Sequence, residues 1–197
     1  MSQVSFESTT YVSGEEFARW VDTSARSGDP NHYELLNGRI VMTPPAGWPH
    51  GVLGSALQSA LFTHVNQRRL GLTCDSSQGF ELPSGDVVEP DHAFVSTERF
   101  QAGPPPETGR FLKVVPDLIV ETLSTSTASR DRGEKKAIYE RNGVREYWLI
   151  DVRARTVTQF VLVGDRYGAP RLYAESERVE SAVLPDLALR LADLLPA

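Results

Sequence analysis

The sequence predicts a fold of the α/β or α+β class with a mixed sheet, on three observations. Residues 116–123 have the nearly continuous apolar pattern of a central strand. A helix is predicted over residues 129–142, and a second strong strand over residues 145–151. A strand, a helix and a strand in this order form a right-handed crossover between parallel strands. Asn37-Gly38 supplies the turn of an antiparallel hairpin over residues 33–42. The sheet is therefore expected to contain both parallel and antiparallel pairs.

The composition is that of an ordinary globular protein. The 197 residues include 20 Lys+Arg and 26 Asp+Glu, which gives a formal net charge of −6, and 40% are hydrophobic. One domain is expected over residues 1–197, with its core at about residues 49–151. No membrane-spanning helix and no secretory signal are expected. The single Cys74 excludes an internal disulfide and a cysteine zinc site and favours a cytoplasmic protein, while the negative charge disfavours nonspecific coating of nucleic acid.

The remaining elements follow from capping signals and periodicity. Ser13 and Glu16 have the spacing of a capping box, so a short helix is expected up to about Asp22. A longer helix begins near Pro49, and Gly71 follows it as a stop signal. The middle of the chain then has the order α-β-β-β-α-β. Its further segments are strands at residues 72–82 and 87–96, a mobile loop at 97–113, a hairpin at 156–163 and 171–174, and a short strand or helix at 184–195.

Two acidic residues interrupt apolar strands. Asp91 lies between Val-Val and Ala-Phe-Val, and Glu121 follows Leu-Ile-Val on the predicted central strand. A buried carboxylate is costly unless it is paired or bound to a metal, so both are candidate site residues. The alternative for Asp91 is a turn residue after a proline. The alternative for Glu121 is a structural ion pair with Arg130 or Arg132.

A lysine and a third acid complete this set. Lys135 shares one face of the helix after the central strand with Asp131 and Tyr139, and a lysine on the face that packs on the sheet would point toward Glu121. The alternative is a solvated surface lysine. Glu34 on the first hairpin is an exposed strand residue by default, but it is the best N-terminal supplier of a further carboxylate.

Two carboxylates and a lysine define a possible reaction. Carboxylate oxygens hold Mg²⁺ or Mn²⁺, which polarises a phosphoryl oxygen and lowers the pKa of a bound water. A lysine can orient that water or neutralise charge that develops on the phosphate. This combination predicts phosphodiester hydrolysis. The sequence has no Gly-x-Ser-x-Gly elbow and no phosphate-binding glycine loop, whereas His50 could contact a phosphate at a helix start.

Several of these segments together resemble the Uma family of restriction-endonuclease-like proteins over about residues 16–195. The segments are Tyr-Glu-Leu-Leu-Asn-Gly at 33–38, His50, Glu-Pro-Asp at 89–91, Val-Pro-Asp-Leu-Ile-Val-Glu-Thr-Leu-Ser at 115–124, Arg-Asp-Arg-Gly-Glu-Lys at 130–135 and Gly-Val-Arg-Glu-Tyr-Trp-Leu-Ile-Asp at 143–151. The resemblance implies the PD-(D/E)XK nuclease fold, a restriction-endonuclease-like α-β-β-β-α-β core with hairpins on both sides.

The resemblance also implies roles for individual residues. Asp91 is implied to be the acid of the Pro-Asp motif and a metal ligand, and Glu121 the second acid and metal ligand. The signature places its lysine two residues after that acid, but this chain has Leu123 there. The family instead supplies a lysine from the next helix, which points to Lys135. Glu34 matches an upstream glutamate that assists the metal.

The leading hypothesis is a Mg²⁺- or Mn²⁺-dependent endonuclease acting on nucleic acid, most naturally DNA, as a homodimer where both strands are cut. Asp91, Glu121, Lys135 and Glu34 are its expected catalytic residues. The second hypothesis is an accessory protein that keeps the fold without catalysis, and the third is a hydrolase of a small phosphodiester. Basic residues that could contact phosphates are Arg68, Arg69, Arg130, Arg132 and Lys136.

Overall fold

The computed structural model describes residues 6–26 and 31–195. Its helices are α1 (Gly14–Arg26), α2 (His50–Arg68), α3 (Thr97–Ala102), α4 (Ala128–Arg130), α5 (Lys136–Arg141) and α6 (Leu191–Leu194), and a π-helical turn at Asp131–Lys135 joins α4 to α5. Its strands are β1 (Phe6–Glu7), β2 (His32–Leu36), β3 (Arg39–Thr43), β4 (Gly71–Asp75), β5 (Phe80–Glu81), β6 (Val87–Val88), β7 (His92–Ser96), β8 (Leu118–Thr122), β9 (Glu146–Asp151), β10 (Thr156–Val163), β11 (Arg166–Tyr167), β12 (Arg171–Ala174), β13 (Val179–Glu180) and β14 (Ala188–Leu189).

The described strands form two larger sheets and one small ribbon. The N-terminal sheet has the order β1-β3-β2-β6-β5, and the main sheet has the order β11-β10-β9-β8-β7-β4, with β12 also paired to β10. Strands β8 and β9 are parallel, whereas the pairs β4–β7, β7–β8 and β9–β10 are antiparallel. The predicted mixed sheet and its parallel crossover are therefore confirmed.

The main sheet is covered on both faces. Helix α2 packs Leu53, Leu57 and Leu61 against one face, where Leu118 and Val120 of β8 are buried. The crossover helix α5 and part of the N-terminal sheet pack against the other face, where Ile119 is buried. Because successive side chains of a strand point to opposite faces, this arrangement fixes the direction of every residue on β8. Among the described helices, none has the length and apolar character needed to span a bilayer.

Local sequence signals explain the first elements well. Ser13 and Glu16 form the expected capping box, in which the Ser13 amide donates to Glu16 Oε2 at 2.8 Å and the Glu16 amide donates to Ser13 Oγ at 3.3 Å. Helix α1 continues beyond the predicted end at Asp22. The hairpin turn between β2 and β3 has positive φ angles of 50° at Asn37 and 77° at Gly38, as its sequence requires.

Two predicted strands are divided in the structure. Residues 72–82 contribute β4 to the main sheet and β5 to the N-terminal sheet. Residues 87–96 contribute β6 to the N-terminal sheet and β7 to the main sheet. The first break is a turn in which Asp75 Oδ1 accepts hydrogen bonds from the amide and hydroxyl of Ser77. At the second break stands Pro90, which has no amide hydrogen for a ladder. The two sheets are thus connected beside Asp91.

The predicted loop and crossover helix also differ from the structure. The segment predicted as a mobile loop at 97–113 begins with helix α3, whose cap is Ser96 Oγ accepting from the Arg99 amide at 3.3 Å. The helix predicted over residues 129–142 is interrupted by the π-helical turn. The C-terminal segment contains both of the predicted alternatives, strand β14 and helix α6.

Gly71→Ala is expected to lower the free energy of unfolding by about 1–3 kcal/mol, the usual cost of overpacking. A Cβ atom at Gly71 would lie 2.0 Å from the carbonyl oxygen of Val95 on the paired strand β7, so the backbone must shift. Urea denaturation measures the effect. Gly47→Ala is the matched control, since a Cβ there meets nothing within 4 Å. Equal stability of the two variants would contradict the prediction.

Candidate active site

Glu121 is buried on the face of the main sheet that carries the crossover helix. It is two residues after Ile119 on β8, so the two side chains share a face. Only 5% of Glu121 is exposed. A carboxylate in this position needs a partner.

Asp91 stands beside Glu121 through the pairing of β7 with β8. In this antiparallel pair His92 lies opposite Val120, and continuing the register by one residue places Asp91 opposite Glu121. Directly opposite residues point to the same side, with Cβ atoms about 4.5–5.5 Å apart. The two carboxylates predicted from sequence therefore lie together at the end of the strand pair.

The Asp91 carboxylate is fixed by two donors. Its Oδ2 accepts a hydrogen bond from the Thr122 amide at 2.7 Å and lies 3.1 Å from Nε2 of His50, the first residue of α2. Burial by itself raises the pKa of Asp91, but His50 and the Thr122 amide outweigh it and lower the pKa below its usual value. Both of these contacts use Oδ2 of Asp91. The Asp91 side chain is 21% exposed, and it lines a cavity that is described below.

Lys135 joins two of the acids. Its Nζ lies 2.5 Å from Glu121 Oε1 and 2.9 Å from Glu34 Oε1, and its side chain is 5% exposed. Tyr139 also donates its hydroxyl to Glu121 Oε1, at 2.7 Å. Arg132 pairs with Asp151 instead, at 2.9 Å. The cationic partner of Glu121 is thus Lys135, as the shared helix face predicted, and not Arg132.

The π-helical turn sets the direction of Lys135. Within this turn both Asp131 and Lys135 are buried, and the Asp131 carbonyl accepts a hydrogen bond from the hydroxyl of Tyr147 on β9 at 3.0 Å. A side chain that bonds to a helix carbonyl is a known cause of local widening, and such turns occur often at functional sites. The widened turn keeps two charged side chains of one helix directed into the same interior space.

Burial and charge act together on Glu121 and Lys135. Burial raises the pKa of Glu121 to about 8, although the Lys135 ammonium favours the charged carboxylate. For Lys135, burial acts to lower the pKa, but Glu121, Glu34 and Asp131 outweigh it and raise the pKa well above its usual value. Lys135 is therefore a permanent cation at neutral pH.

These side chains line one cavity of about 260 Å³, called here the catalytic cavity. Five carboxylates, from Glu34, Glu89, Asp91, Glu121 and Asp131, line it against the cations of Lys135 and Arg130. The carboxyl groups in this lining outnumber the lysine and arginine by three. An added cation would therefore be stabilised by their ionised forms.

Long-range contacts hold Glu34 in this cavity. Its Oε1 accepts a hydrogen bond from the Glu89 amide at 2.9 Å, and the Glu89 carboxylate lies 3.2 Å from Nδ1 of His32. No role for Tyr139 or Asp131 follows from the sequence, although both share the Lys135 face. No local signal pointed to the partnership of His32 with Glu89.

The predicted phosphate contacts are only partly supported. Arg130 lines the catalytic cavity, whereas Lys136 lies 5.2 Å from the centre of the Phe160 ring and 3.8 Å from Glu140. Arg68 is 18 positions beyond His50 on α2, about 27 Å along the helix axis. Arg68 and its neighbour Arg69 are therefore too far from the catalytic cavity to contact a phosphate held there.

The carboxylates of the cavity match what a divalent cation requires. Within residues 6–26 and 31–195, no group of three or more His, Cys, Asp or Glu side chains surrounds a single metal position. Mg²⁺ is usually held by one or two carboxylates and keeps several waters. Asp91 and Glu121 supply that number of carboxylates, and both face the catalytic cavity. The residues present fit a hard divalent cation.

The fold of this chain has a match among solved structures. A solved structure described as a "putative nuclease belonging to DUF820" from Anabaena variabilis matches with a TM-score of 0.71 at 17% sequence identity, covering 93% of this chain and 97% of that chain. The model of the Uma2 family, described as "Putative restriction endonuclease", matches residues 15–192. The chain therefore belongs to the Uma2 family, and membership of this family indicates nuclease chemistry. No match was found among curated proteins.

Proposed function

We propose that this protein is a Mg²⁺-dependent endonuclease that hydrolyses phosphodiester bonds in DNA. One observation carries the proposal: the β7–β8 register, continued by one residue, brings Asp91 opposite Glu121, and Lys135 contacts Glu121 in the same cavity. Membership of the Uma2 family supports it independently. Mn²⁺ is expected to replace Mg²⁺, because both prefer oxygen ligands.

Asp91 and Glu121 are the residues that would hold the cation. When bound, Mg²⁺ polarises a phosphoryl oxygen and makes a water molecule more acidic. His50 and the Thr122 amide both contact Asp91 Oδ2. These two contacts fix the orientation of the carboxylate and therefore also the position of Oδ1. Tyr139 restrains Glu121 in the same way through Oε1.

Lys135 is the residue proposed to act on the reacting groups. Its ammonium has three donors, and Glu121 and Glu34 take two of them. The third can donate to the attacking water or to the phosphate oxygen on which negative charge develops. Glu34 has a positioning role, since its Oε1 binds both Lys135 and the Glu89 amide. One such site cuts one strand, so a cut through both strands of a duplex in a single event requires a homodimer.

Incubation of the purified protein with circular single-stranded DNA and with supercoiled plasmid tests the proposal. Cleavage is expected with Mg²⁺ or Mn²⁺ and none with EDTA, because the carboxylates alone cannot stabilise the charge that develops on the phosphate. Circular substrates report internal cuts and exclude an exonuclease.

Asp91→Asn is the control for contaminating nucleases, since it keeps the side-chain volume and removes a proposed cation ligand. Equal cleavage by Asp91→Asn and the wild type would refute the assigned site. Absence of cleavage of both substrates with either metal would refute the nuclease and favour the accessory-protein hypothesis.

A further inference from the structure

A second cavity adjoins the catalytic cavity and opens along α2. Its volume is about 550 Å³, within the range of about 300–1,000 Å³ that ligand pockets have. The two cavities share His50, Gly51, Ser76 and Asp91 in their linings. A substrate held at Asp91 could therefore extend from one cavity into the other without leaving the protein surface.

The second cavity lies on the opposite face of the main sheet from Glu121. His92 is the next residue after Asp91 on the chain, so its side chain points toward α2. There its Nδ1 lies 3.0 Å from Gln58 Oε1, and His92 is only 4% exposed. The floor of the cavity is thus a polar pair.

The lining of this cavity disfavours phosphate and favours an uncharged aromatic group. None of the described residues that line it is a lysine or arginine, while Asp75 and Asp91 are both part of it. A phosphate would meet two carboxylates there without a lysine or arginine to offset them. Phe62 lines the same cavity and is 56% exposed, which is unusual for so large an apolar side chain. An exposed aromatic ring beside a polar floor matches the face and the edge of a nucleobase.

We propose that the second cavity binds the base of an unpaired nucleotide next to the scissile phosphate, so that the substrate is single-stranded DNA. The inference rests on the proposed nuclease function and specifies its substrate. Phe62 stacks on the base, and the Gln58–His92 pair faces the polar edge. A base in a duplex is already stacked and paired, so its extrusion would cost a few kcal/mol. In a single strand the base is unpaired, and most of this cost is absent.

Binding of a fluorescein-labelled oligothymidylate, with Ca²⁺ in place of Mg²⁺ to separate binding from turnover, tests the inference. The wild type is expected to bind this strand more tightly than its duplex with oligodeoxyadenylate and more tightly than an abasic strand of equal length. Phe62→Ala should weaken binding of the single strand by about 5- to 150-fold, the usual effect of losing one stacked aromatic, and leave abasic binding unchanged. Leu172→Ala is the control, because Leu172 is 68% exposed and lies on β12.

Ser55→Phe provides a second variant that fills the cavity from an exposed position of α2. It should weaken binding of the single strand as Phe62→Ala does. Tighter binding of the duplex, or unchanged binding by both variants, would overturn the inference. If the wild type cleaves DNA but Phe62→Ala binds the single strand as tightly as the wild type does, only the base site is refuted. Binding that depends on Phe62 without any cleavage would refute only the nuclease.

Discussion

Lys135→Gln is expected to reduce the rate of DNA cleavage by about 100-fold or more, the usual loss when one donor to a developing charge is removed. The variant should still bind Mg²⁺, because the proposed cation ligands are carboxylates and not the lysine. Removal of a cation 2.5 Å from Glu121 leaves that carboxylate with more negative potential, which favours a divalent ion. Lys135→Gln should thus separate cation binding from cleavage.

Glu121→Gln is the matched variant and should lose both properties. Mg²⁺ binding is measured by titration calorimetry without DNA, and cleavage by single-turnover rates on a circular single strand. Lys136→Gln is the control on the adjacent residue, which lies against the Phe160 ring. Wild-type cleavage by Lys135→Gln, or loss of Mg²⁺ binding as complete as in Glu121→Gln, would contradict the assigned role.

Stability has to be measured beside activity for these variants. Breaking a buried ion pair by removing one partner commonly costs about 3–5 kcal/mol, and Lys135 faces Glu34 and Glu121 together. Lys135→Arg keeps the charge and so protects the fold, but its planar head places the donors differently. It should retain stability better than Lys135→Gln and still cleave slowly.

The sequence predicts the relation between Glu121 and Lys135 because both depend on local geometry. Strand alternation places Glu121 on the same face as Ile119, and helical spacing groups Asp131, Lys135 and Tyr139. The parallel crossover then brings these two faces together. The contact between Lys135 and Glu121 therefore requires only the two periodicities and one topological rule.

Other parts of the site depend on contacts that local patterns do not contain. The Glu34 carboxylate accepts from the Glu89 amide across 55 positions of the chain. The π-helical turn cannot be distinguished from an α-helix over five residues of sequence, and it is held by the Tyr147 hydroxyl from the next strand. The break in the predicted strand at residues 87–96 is a different case, because Pro90 is a sequence signal for it. The apolar residues on both sides of Pro90 nevertheless favoured one continuous strand.

Glu146→Gln is expected to destabilise the protein by about 3 kcal/mol, because it places amide hydrogens against donors that need an acceptor. Glu146 on β9 is fully buried, with an exposure of 0%. Its Oε1 accepts from Trp148 and Gln159 at 2.7 and 2.6 Å. Its Oε2 accepts from the Ser181 hydroxyl and from the amides of residues 182 and 183 at 2.6, 2.9 and 3.1 Å.

The glutamine variant can satisfy only one of these two groups of donors. Whichever way the amide turns, its NH₂ group meets donors, so either the indole of Trp148 or the segment after Ser181 loses its acceptor. Urea denaturation measures the loss, with Glu107→Gln on the exposed loop as control. Faster hydrogen exchange at the amides of Ala182 and Val183 would locate it at Oε2. A loss below about 1 kcal/mol, within the range of a single ordinary hydrogen bond, would show that this buried carboxylate does not anchor the C-terminal segment.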